Sequence, residues 1–226
     1  MKDSDSILSY VTSKSIMNGG TVVVTTKPTK QKIMRIASTL FYQKGFQGTS
    51  IRDIAAQANV NISAISYYFN GKQGLLEQTV TTYYESYLNV LEKTYEETTK
   101  VAPPERLKKL IATILQFKQE NEELTCFISR EMAFDSMFVR EIVVTYLAKE
   151  NYLIKKAFFP VLQMKQMNRR EQQLLFMQLV GMLSTPYLVH PDFKQHTIGY
   201  INKNDFVKYY LRTINHWLDW LITREI

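Results

Sequence analysis

The chain has 226 residues, of which 45% are hydrophobic, 22% charged and 12% aromatic. This composition suits a globular protein with a buried core and excludes a disordered or collagen-like one. Its most apolar window, near Trp217 to Ile222, contains Asp219, and no stretch approaches the roughly 18 apolar residues of a membrane span. The single cysteine, Cys126, cannot form an internal disulfide or supply a usual zinc site. We therefore expect a cytoplasmic protein without membrane association, metal or other cofactor.

The formal net charge of +7 is concentrated in one short segment. Residues 27–72 contain seven basic residues and one acidic residue, Asp53, which gives +6, whereas residues 1–26 are neutral and residues 73–226 carry +1. A merely solvated surface would spread the charge more evenly. The asymmetry indicates a polyanion-binding module attached to a near-neutral body.

Residues 1–26 lack the period of a helix and the pattern of a secretory leader. We interpret them as a flexible tail. A second hypothesis is that they are mis-annotated, because Asn18-Gly19-Gly20-Thr21 is what a translated ribosome-binding sequence would yield. Translation would then begin at Val22, Val23 or Val24.

Residues 27–72 have the pattern of three short helices. The first stops before Gly45, the second begins after a capping box formed by Ser50 and Asp53, and Asn59 allows a left-handed turn before a third helix over 62–69. Two helices joined by so short a turn form a helix-turn-helix, whose second helix enters the major groove of DNA. A helical corner without a ligand is the alternative interpretation of the same spacing.

We expect the third helix to face base edges and the neighbouring helix starts to hold phosphates. Thr49 and Lys72 are predicted at such starts, and Tyr67 is predicted to assist them. The predicted DNA-binding residues are Thr49, Ser50, Arg52, Asn61, Ile62, Ser63, Ala64, Ser66, Tyr67, Tyr68 and Lys72.

The remaining chain, 73–226, is predicted to be an all-helical dimerisation and regulatory domain. A long helix runs from Lys72 to about 98, and further helices follow at about 104–117, 122–134, 137–158, 170–184 and 204–223, with Pro160, Pro186 and Pro191 as breaks. No segment alternates as a strand would. The fold class is therefore all-α.

The last helix carries an apolar stripe too wide for one ordinary packing partner, and a second stripe precedes it. Two copies of the helix-turn-helix on a symmetric DNA site would also double the number of base contacts. We therefore predict a homodimer on a palindromic site, with a core inside one chain as the alternative. The predicted interface residues are Leu175, Leu179, Met182, Tyr210, Ile214, Trp217, Leu218 and Leu221.

Several of these motifs together resemble the N-terminal domain of the TetR family over residues 30–77. The chain departs from the family pattern at Asn59, where glycine is usual, and at Ser66, where tyrosine is usual. The motifs are Phe41-Tyr42-Gln43-Lys44-Gly45-Phe46, Thr49-Ser50-Ile51-Arg52-Asp53-Ile54-Ala55, Asn59-Val60-Asn61, and Tyr67-Tyr68-Phe69 with Lys72, Leu75 and Leu76. The resemblance implies binding to double-stranded DNA and a dimer formed by the two principal C-terminal helices.

The whole chain more narrowly resembles the RefZ-type members of this family in spore-forming bacteria. That resemblance implies nucleoid association, binding to chromosomal sites and modulation of the division protein FtsZ, which affects division-ring placement and chromosome positioning in sporulation. Exposed charges at Glu77, Glu85, Arg140 and Glu141 are then candidates for a partner surface, although solvated helix faces are the simpler interpretation of each.

A ligand-responsive repressor of a neighbouring operon is the alternative function. The middle of the chain could line an effector pocket, but aromatic and methionine residues at helical spacing usually form plain core. We do not expect an enzyme, because His190, His196 and His216 stand apart and no phosphate-binding glycine loop is present. The aromatic and methionine residues are Phe127, Met132, Phe134, Met137, Phe138, Tyr146, Tyr152, Phe158 and Phe159.

Overall fold

The computed structural model describes residues 26–133, 137–163, 167–199 and 201–223. Within these ranges it has ten α-helices and no strand, which confirms the all-α prediction. None of the described helices is long and apolar enough to cross a membrane. Both hypotheses about the N-terminal tail concern residues outside the described ranges, except Thr26. The helices are α1 (Thr26–Gly48), α2 (Ile51–Ala58), α3 (Ile62–Phe69), α4 (Lys72–Glu97), α5 (Pro103–Glu120), α6 (Glu122–Ala133), α7 (Met137–Gln163), α8 (Arg169–Leu188), α9 (Pro191–Ile198) and α10 (Lys203–Thr223).

The reading head consists of α1, α2 and α3. Helix α1 is interrupted at Gly45, whose φ of +72° and ψ of +170° are not helical, so the first helix stops there as the sequence predicted; a further helical stretch continues the span to Gly48. The apolar residues that the sequence placed at helical spacing form the inner side of the head and are fully buried. They are Ile33, Ala37, Leu40 and Phe41 from α1, Ile54 and Ala58 from α2, and Ile65 from α3.

Helices α4, α5 and α7 form the centre of the body. Helix α7 runs parallel to α4, because the Tyr84 and Tyr146 rings stack at 5.0 Å while, further along both helices, Lys156 lies 4.7 Å from the Tyr95 ring. Helix α10 packs on α5, where Lys108 and Asp219 form an ion pair of 2.7 Å. Helix α4 thus lies at the middle of the body while its first turn belongs to the head.

Two prolines that were predicted to end helices lie inside them instead. Helix α7 continues through Pro160 to Gln163, and α8 continues through Pro186 to Leu188. Each proline lies within the last turn of its helix, so only a short stretch of helix follows the missing N–H. Pro186 is buried, so its ring packs against the interior of the body.

A buried polar cluster joins α4, α5 and α7. The Lys118 ammonium contacts the Glu150 carboxylate at 3.0 Å, and the Tyr87 hydroxyl donates to the same oxygen at 2.7 Å. Lys118 and Glu150 are only 9% and 7% exposed. Burial raises the pKa of Tyr87 well above its ordinary value, so the hydroxyl stays protonated and remains a donor. Removing one ionic partner would leave a buried charge uncompensated.

The junction between α3 and α4 requires a glycine at position 74. Asn70 (φ +58°) and Gly71 (φ +101°) turn the chain sharply after α3. A Cβ atom on Gly74 would then overlap the Phe69 carbonyl oxygen, far inside van der Waals contact. Because that oxygen is a backbone atom, it can move only if α3 moves relative to α4.

We expect Gly74→Ala to lower the free energy of unfolding by about 1–3 kcal/mol, since it forces two backbones apart. Gly48→Ala is the matched control, because its Cβ would meet the Lys44 Cβ at an ordinary 3.4 Å. Urea unfolding of both variants at one protein concentration measures the difference. Equal stability of the two variants would show that the junction tolerates a side chain.

Candidate nucleic-acid interface

Capping hydrogen bonds fix the start of α2. The Asp53 N–H donates to the Ser50 hydroxyl oxygen at 3.1 Å, and the Ser50 N–H donates to the Asp53 carboxylate at 3.4 Å. Hydrogen bonds from the Ser50 side chain and backbone lower the pKa of the Asp53 carboxyl. The predicted capping box is therefore present, and it fixes where α2 starts.

The turn between α2 and α3 is built around Asn59. Asn59 has φ +50° and ψ +52°, a left-handed conformation that asparagine adopts more readily than most residues. Its N–H donates to the Ala56 carbonyl at 3.1 Å, and the Val60 N–H donates to the Ala55 carbonyl at 3.0 Å. Asparagine therefore supplies the turn in place of the glycine usual in the TetR pattern.

Helix α3 has one face in the head and one face in solvent. Asn61 caps its start by accepting the Ser63 N–H at 3.0 Å, and the Ser63 hydroxyl donates to the same Asn61 oxygen at 3.0 Å. Ile65 and Phe69 are buried, at 0% and 5% exposed. Their anchoring presents the opposite face of α3 as a fixed surface.

The solvent face of α3 is the candidate reading surface. Tyr67 is 80% exposed and Ile62 is 45% exposed, and the side chains of Ser63 and Ser66 are exposed between them. Ala64 and Tyr68, which were also predicted to bind DNA, are only partly exposed; the Tyr68 ring packs edge-on against Tyr67 with 5.0 Å between centroids.

Lys72 connects α4 to the end of α1. Its ammonium donates to the carbonyls of Phe46 and Thr49, both at 2.9 Å, and lies 4.3 Å from the Phe46 ring centroid. An ammonium has three donors, so one remains for a phosphate. The role predicted from sequence is compatible with this geometry, but Lys72 also ties the head together.

The structure places Thr49 differently from the prediction. Its side chain is only 2% exposed, and its hydroxyl contacts the carbonyls of Gly45 at 2.8 Å and Leu40 at 3.2 Å. Its N–H donates to the Phe46 carbonyl at 3.3 Å. Neither group is available to a phosphate, so the assignment of Thr49 as a phosphate ligand is corrected to a structural one.

Exposed cations lie on the helices of the reading head. Lys32, Arg35 and Arg52 are exposed, as Ser50 and Asn61 are. Lys44 pairs loosely with Asp53 at 3.8 Å, and both side chains are about half exposed. The positive charge found in the sequence therefore lies on the surface of the head, where it can attract a polyanion.

Half of the predicted dimer residues belong to the core of a single chain. Leu179, Ile214, Leu218 and Leu221 are between 0% and 4% exposed, which leaves them no surface for a partner. This corrects their assignment to a subunit interface. Leu175, Met182, Tyr210 and Trp217 are half-buried; the Tyr210 hydroxyl donates to the Met182 carbonyl at 2.7 Å, and Trp217 stacks on Phe158.

Other residues of α8 and α10 form an exposed apolar face. On α8, Leu174 and Met177 are 55% and 64% exposed. On α10, Tyr209 and Trp220 are 52% and 50% exposed. The sequence pattern did not identify this face, because the apolar stripes of α8 and α10 are wider than one side of a helix. Their width indicated two partners without showing which residues meet which.

The predicted partner surface lies on α4 and α7. Glu77, Glu85 and Glu141 are exposed, while the side chain of Arg140 is outside the described part of the structure. The stacking of Tyr84 on Tyr146 in parallel helices places Glu141 at about the level of Glu77. Glu77 and Glu141 therefore lie toward the end of the body that adjoins the reading head.

Among the aromatic and methionine residues predicted as a possible pocket lining, those whose side chains are described do not converge on one cavity. Phe127 and Phe158 are buried at 1% and 0%, and Tyr146 stacks on α4, whereas Tyr152 is 62% exposed. Met132 and Phe159 are half-buried. The side chains of Phe134, Met137 and Phe138 lie outside the described part.

A sequence profile described as bacterial regulatory proteins of the tetR family matches residues 33–79. The "Probable HTH-type transcriptional regulator YttP" of Bacillus subtilis is 38% identical over 197 residues, which cover 84% of this chain and 92% of that protein. The negative transcriptional regulator IcaR of the biofilm operon icaADBC in Staphylococcus aureus is 40% identical over 60 residues, 26% of this chain and 32% of IcaR.

Solved structures show the same fold. The TetR family regulator PfmR of Thermus thermophilus superposes with a TM-score of 0.64 at 16% identity, covering 84% of this chain and 96% of PfmR. A tetR family regulatory protein from Rhodococcus gives a TM-score of 0.67 at 14% identity, with 84% and 96% covered. The match to YttP extends well beyond the reading head into the body. The chain therefore belongs to the TetR family of DNA-binding transcriptional regulators.

Proposed function

We propose that the protein binds a specific palindromic DNA site as a homodimer, with α3 of each subunit in the major groove. The observation that carries this proposal is the division of α3 into a buried face at Ile65 and Phe69 and an exposed face at Ile62 and Tyr67. A rigid helix with an open face next to a positively charged surface is what groove reading requires.

The chemistry of α3 favours readout by small and apolar groups. Its exposed face offers the Ile62 side chain to a thymine methyl group and the Ser63 and Ser66 hydroxyls to base edges. It carries no arginine or lysine, the residues that most often read guanine. Phosphate binding therefore falls to Lys72, Arg52 and the Tyr67 hydroxyl around the helix.

Lys72→Ala tests the phosphate contact. We expect weaker binding to specific and random DNA alike, and a salt slope reduced by about 0.9 because one phosphate contact is lost. Ser66→Ala should instead change sequence preference and leave the slope intact. Fluorescence anisotropy on a site selected from random DNA, at several salt concentrations, measures both. If Lys72→Ala lowers the melting temperature but leaves the salt dependence of DNA binding unchanged, Lys72 stabilises the head and does not contact a phosphate.

We assign the dimer interface to the exposed apolar face of α8 and α10. Leu174, Met177, Tyr209 and Trp220 are large apolar side chains in solvent on two helices, and a second copy of this face would bury them. Two-fold pairing of the same face would produce a closed dimer. It would also hold the two α3 helices at one fixed separation, which a palindromic site requires.

We expect Met177→Glu to shift the protein toward monomers, because a carboxylate in an apolar interface lacks a partner. Val144→Glu is the control, since Val144 is also apolar and 54% exposed but lies on α7. Light scattering during size-exclusion chromatography measures the mass of each variant. The interface assignment is wrong if Met177→Glu remains a dimer, or if Val144→Glu dissociates equally.

The finer role that we propose is nucleoid association at chromosomal sites and modulation of FtsZ, with effects on division-ring placement and chromosome positioning in sporulation. Its support is the resemblance to RefZ-type proteins and the exposure of Glu77, Glu85 and Glu141 on α4 and α7. In this role DNA would place the protein and these carboxylates would contact the partner.

A ligand-controlled repressor is the second candidate. It is favoured by a cavity of about 210 Å³ between the head and the body, with Tyr42 from α1, Cys126 from α6 and Lys194 from α9 in its lining. A small molecule there would press on α1 and change the position of the head. IcaR, which is described as a negative transcriptional regulator of an operon, resembles this chain over a segment of comparable size to the head.

Immunoprecipitation of the protein with its bound DNA, in growing and in sporulating cells, distinguishes the division role from the ligand-controlled repressor. Palindromic sites scattered near the replication origin and away from promoters would support chromosome positioning and division control. A single site in the promoter of a neighbouring transporter or enzyme gene would support the repressor and would count against the FtsZ role.

A further inference from the structure

A groove between α7 and α8 combines cations with aromatic rings. It has a volume of about 550 Å³ and is lined by Lys155, Phe159, Arg169, Gln172, Gln173 and Phe176. Among the described residues the lining thus contains two cations and no carboxylate. Neither the reading head nor the exposed face of α8 and α10 uses these residues, so the groove has no role in DNA binding as proposed above.

The groove lies at the end of the body remote from the reading head. Helix α4 starts at the head with Lys72 and has 26 residues, so it is about 39 Å long. Lys156, next to Lys155 in the chain, contacts the ring of Tyr95 near the last turn of α4. DNA bound along α3 is therefore too distant to be the polyanion that these cations meet.

The inner side of the groove is a packed aromatic cluster. The Phe176 ring lies 5.9 Å from Phe159 and 6.3 Å from Phe158, and Phe158 stacks on Trp217. Phe159 and Phe176 are only half-buried, which leaves apolar surface open to a ligand. The cluster is continuous with the core, so the apolar side of the groove is rigid.

The rim of the groove is polar and positive. Lys155 and Arg169 are exposed, and the Lys155 ammonium lies 5.1 Å above the Phe176 ring. Gln173 is exposed, and a glutamine amide can both donate to and accept from a peptide backbone. Glu171, the nearest acid on α8, is occupied by the capping box with Asn168.

The groove and the proposed dimer face adjoin on α8. Gln172 and Phe176 are four residues apart and share the side that faces α7, whereas Leu174 and Met177 are exposed. Gln173 lines the groove and is four residues before Met177, so it lies at the border between the groove and the dimer face.

We propose that this groove docks a short acidic segment of a partner protein, with one aromatic or leucine side chain against Phe159 and Phe176 and carboxylates beside Lys155 and Arg169. Charge complementarity favours an acidic segment because both lining charges are positive. The half-exposed rings supply an anchor position, and buried anchors carry most of the affinity in peptide recognition. This interaction is independent of DNA reading and would let the DNA-bound protein hold a second macromolecule.

The test uses the full chain and a fluorescein-labelled synthetic peptide of sequence DEDFLED. Fluorescence anisotropy should show saturable binding, and replacing the peptide's phenylalanine and leucine by alanine should weaken it about tenfold, since the anchor is lost. The Lys155→Glu/Arg169→Glu variant should lose about tenfold or more in affinity, since two attractive charges become repulsive. Arg169→Glu places an acid in the first turn of α8, where it suits the helix dipole.

Lys149→Glu/Lys100→Glu is the matched control. Both lysines are exposed and lie outside the groove, so the variant has the same net charge as the groove variant and should bind the peptide as the unmodified chain does. Both variants should keep their melting temperature and DNA affinity. An equal loss of peptide affinity in both variants would show that only the overall charge of the protein matters, and it would overturn the proposal.

Two further results would also overturn it. Binding of the alanine-substituted peptide at full strength would show that no side chain is anchored. Tighter binding to phosphatidylglycerol vesicles than to the peptide, lost in the groove variant, would assign the groove to a membrane surface. Failure of DNA binding by the unmodified chain would contradict the proposed function and leave the peptide result unaffected, so the two proposals fail separately.

Discussion

The docking of α1 against α4 and α6 is the constraint on which the rest of the molecule depends. The Thr39 hydroxyl donates to Glu123 at 2.7 Å, and the Arg130 guanidinium donates to the Tyr42 carbonyl at 2.6 Å while covering its ring. These directional bonds surround an apolar contact between the rings of Phe41 and Phe127, 5.5 Å apart. Apolar contacts alone allow sliding, whereas hydrogen bonds at both sides fix the orientation of the head.

Helix α4 carries that orientation into the body. At its start the backbone of α3 approaches Gly74 closely and Lys72 binds two carbonyls of the head. At its middle Tyr87 bonds to the buried pair of Lys118 and Glu150. A buried ion pair contributes little net stability but strongly disfavours arrangements that separate its members. The pair therefore fixes the register of α4 against α5 and α7, and through α4 the position of the reading surface.

The sequence was sufficient where structure is local. The capping box at Ser50, the left-handed turn at Asn59 and the cap at Asn61 each involve residues within five positions of one another, so their chemistry can be read directly from spacing. The fold class followed from helical periodicity for the same reason. Thr49 shows the limit, because its hydroxyl turns inward to the Leu40 carbonyl, nine residues away, and only tertiary packing decides between that acceptor and a phosphate.

The body was harder to predict because its apolar stripes serve two purposes at once. Leu218 and Trp220 are neighbours in one stripe region of α10, yet one is 1% exposed and the other 50%. Periodicity identifies apolar residues, but it does not say whether the covering surface belongs to the same chain or to a second one. Pro160 and Pro186 were misjudged for a related reason, since packing around a helix can outweigh a local preference to end it.

Clusters of charge are visible in the sequence only when their members are close together along the chain. The +6 of residues 27–72 was visible because its members are contiguous in the chain. The cations of the α7–α8 groove were hidden in a segment whose total is only +1, because its acidic and basic residues nearly cancel when they are summed along the chain. A near-neutral domain can still bring Lys155 and Arg169, which are distant in sequence, to the lining of one groove. Two cations beside half-exposed rings allow an acidic partner to be recognised while the head remains on DNA.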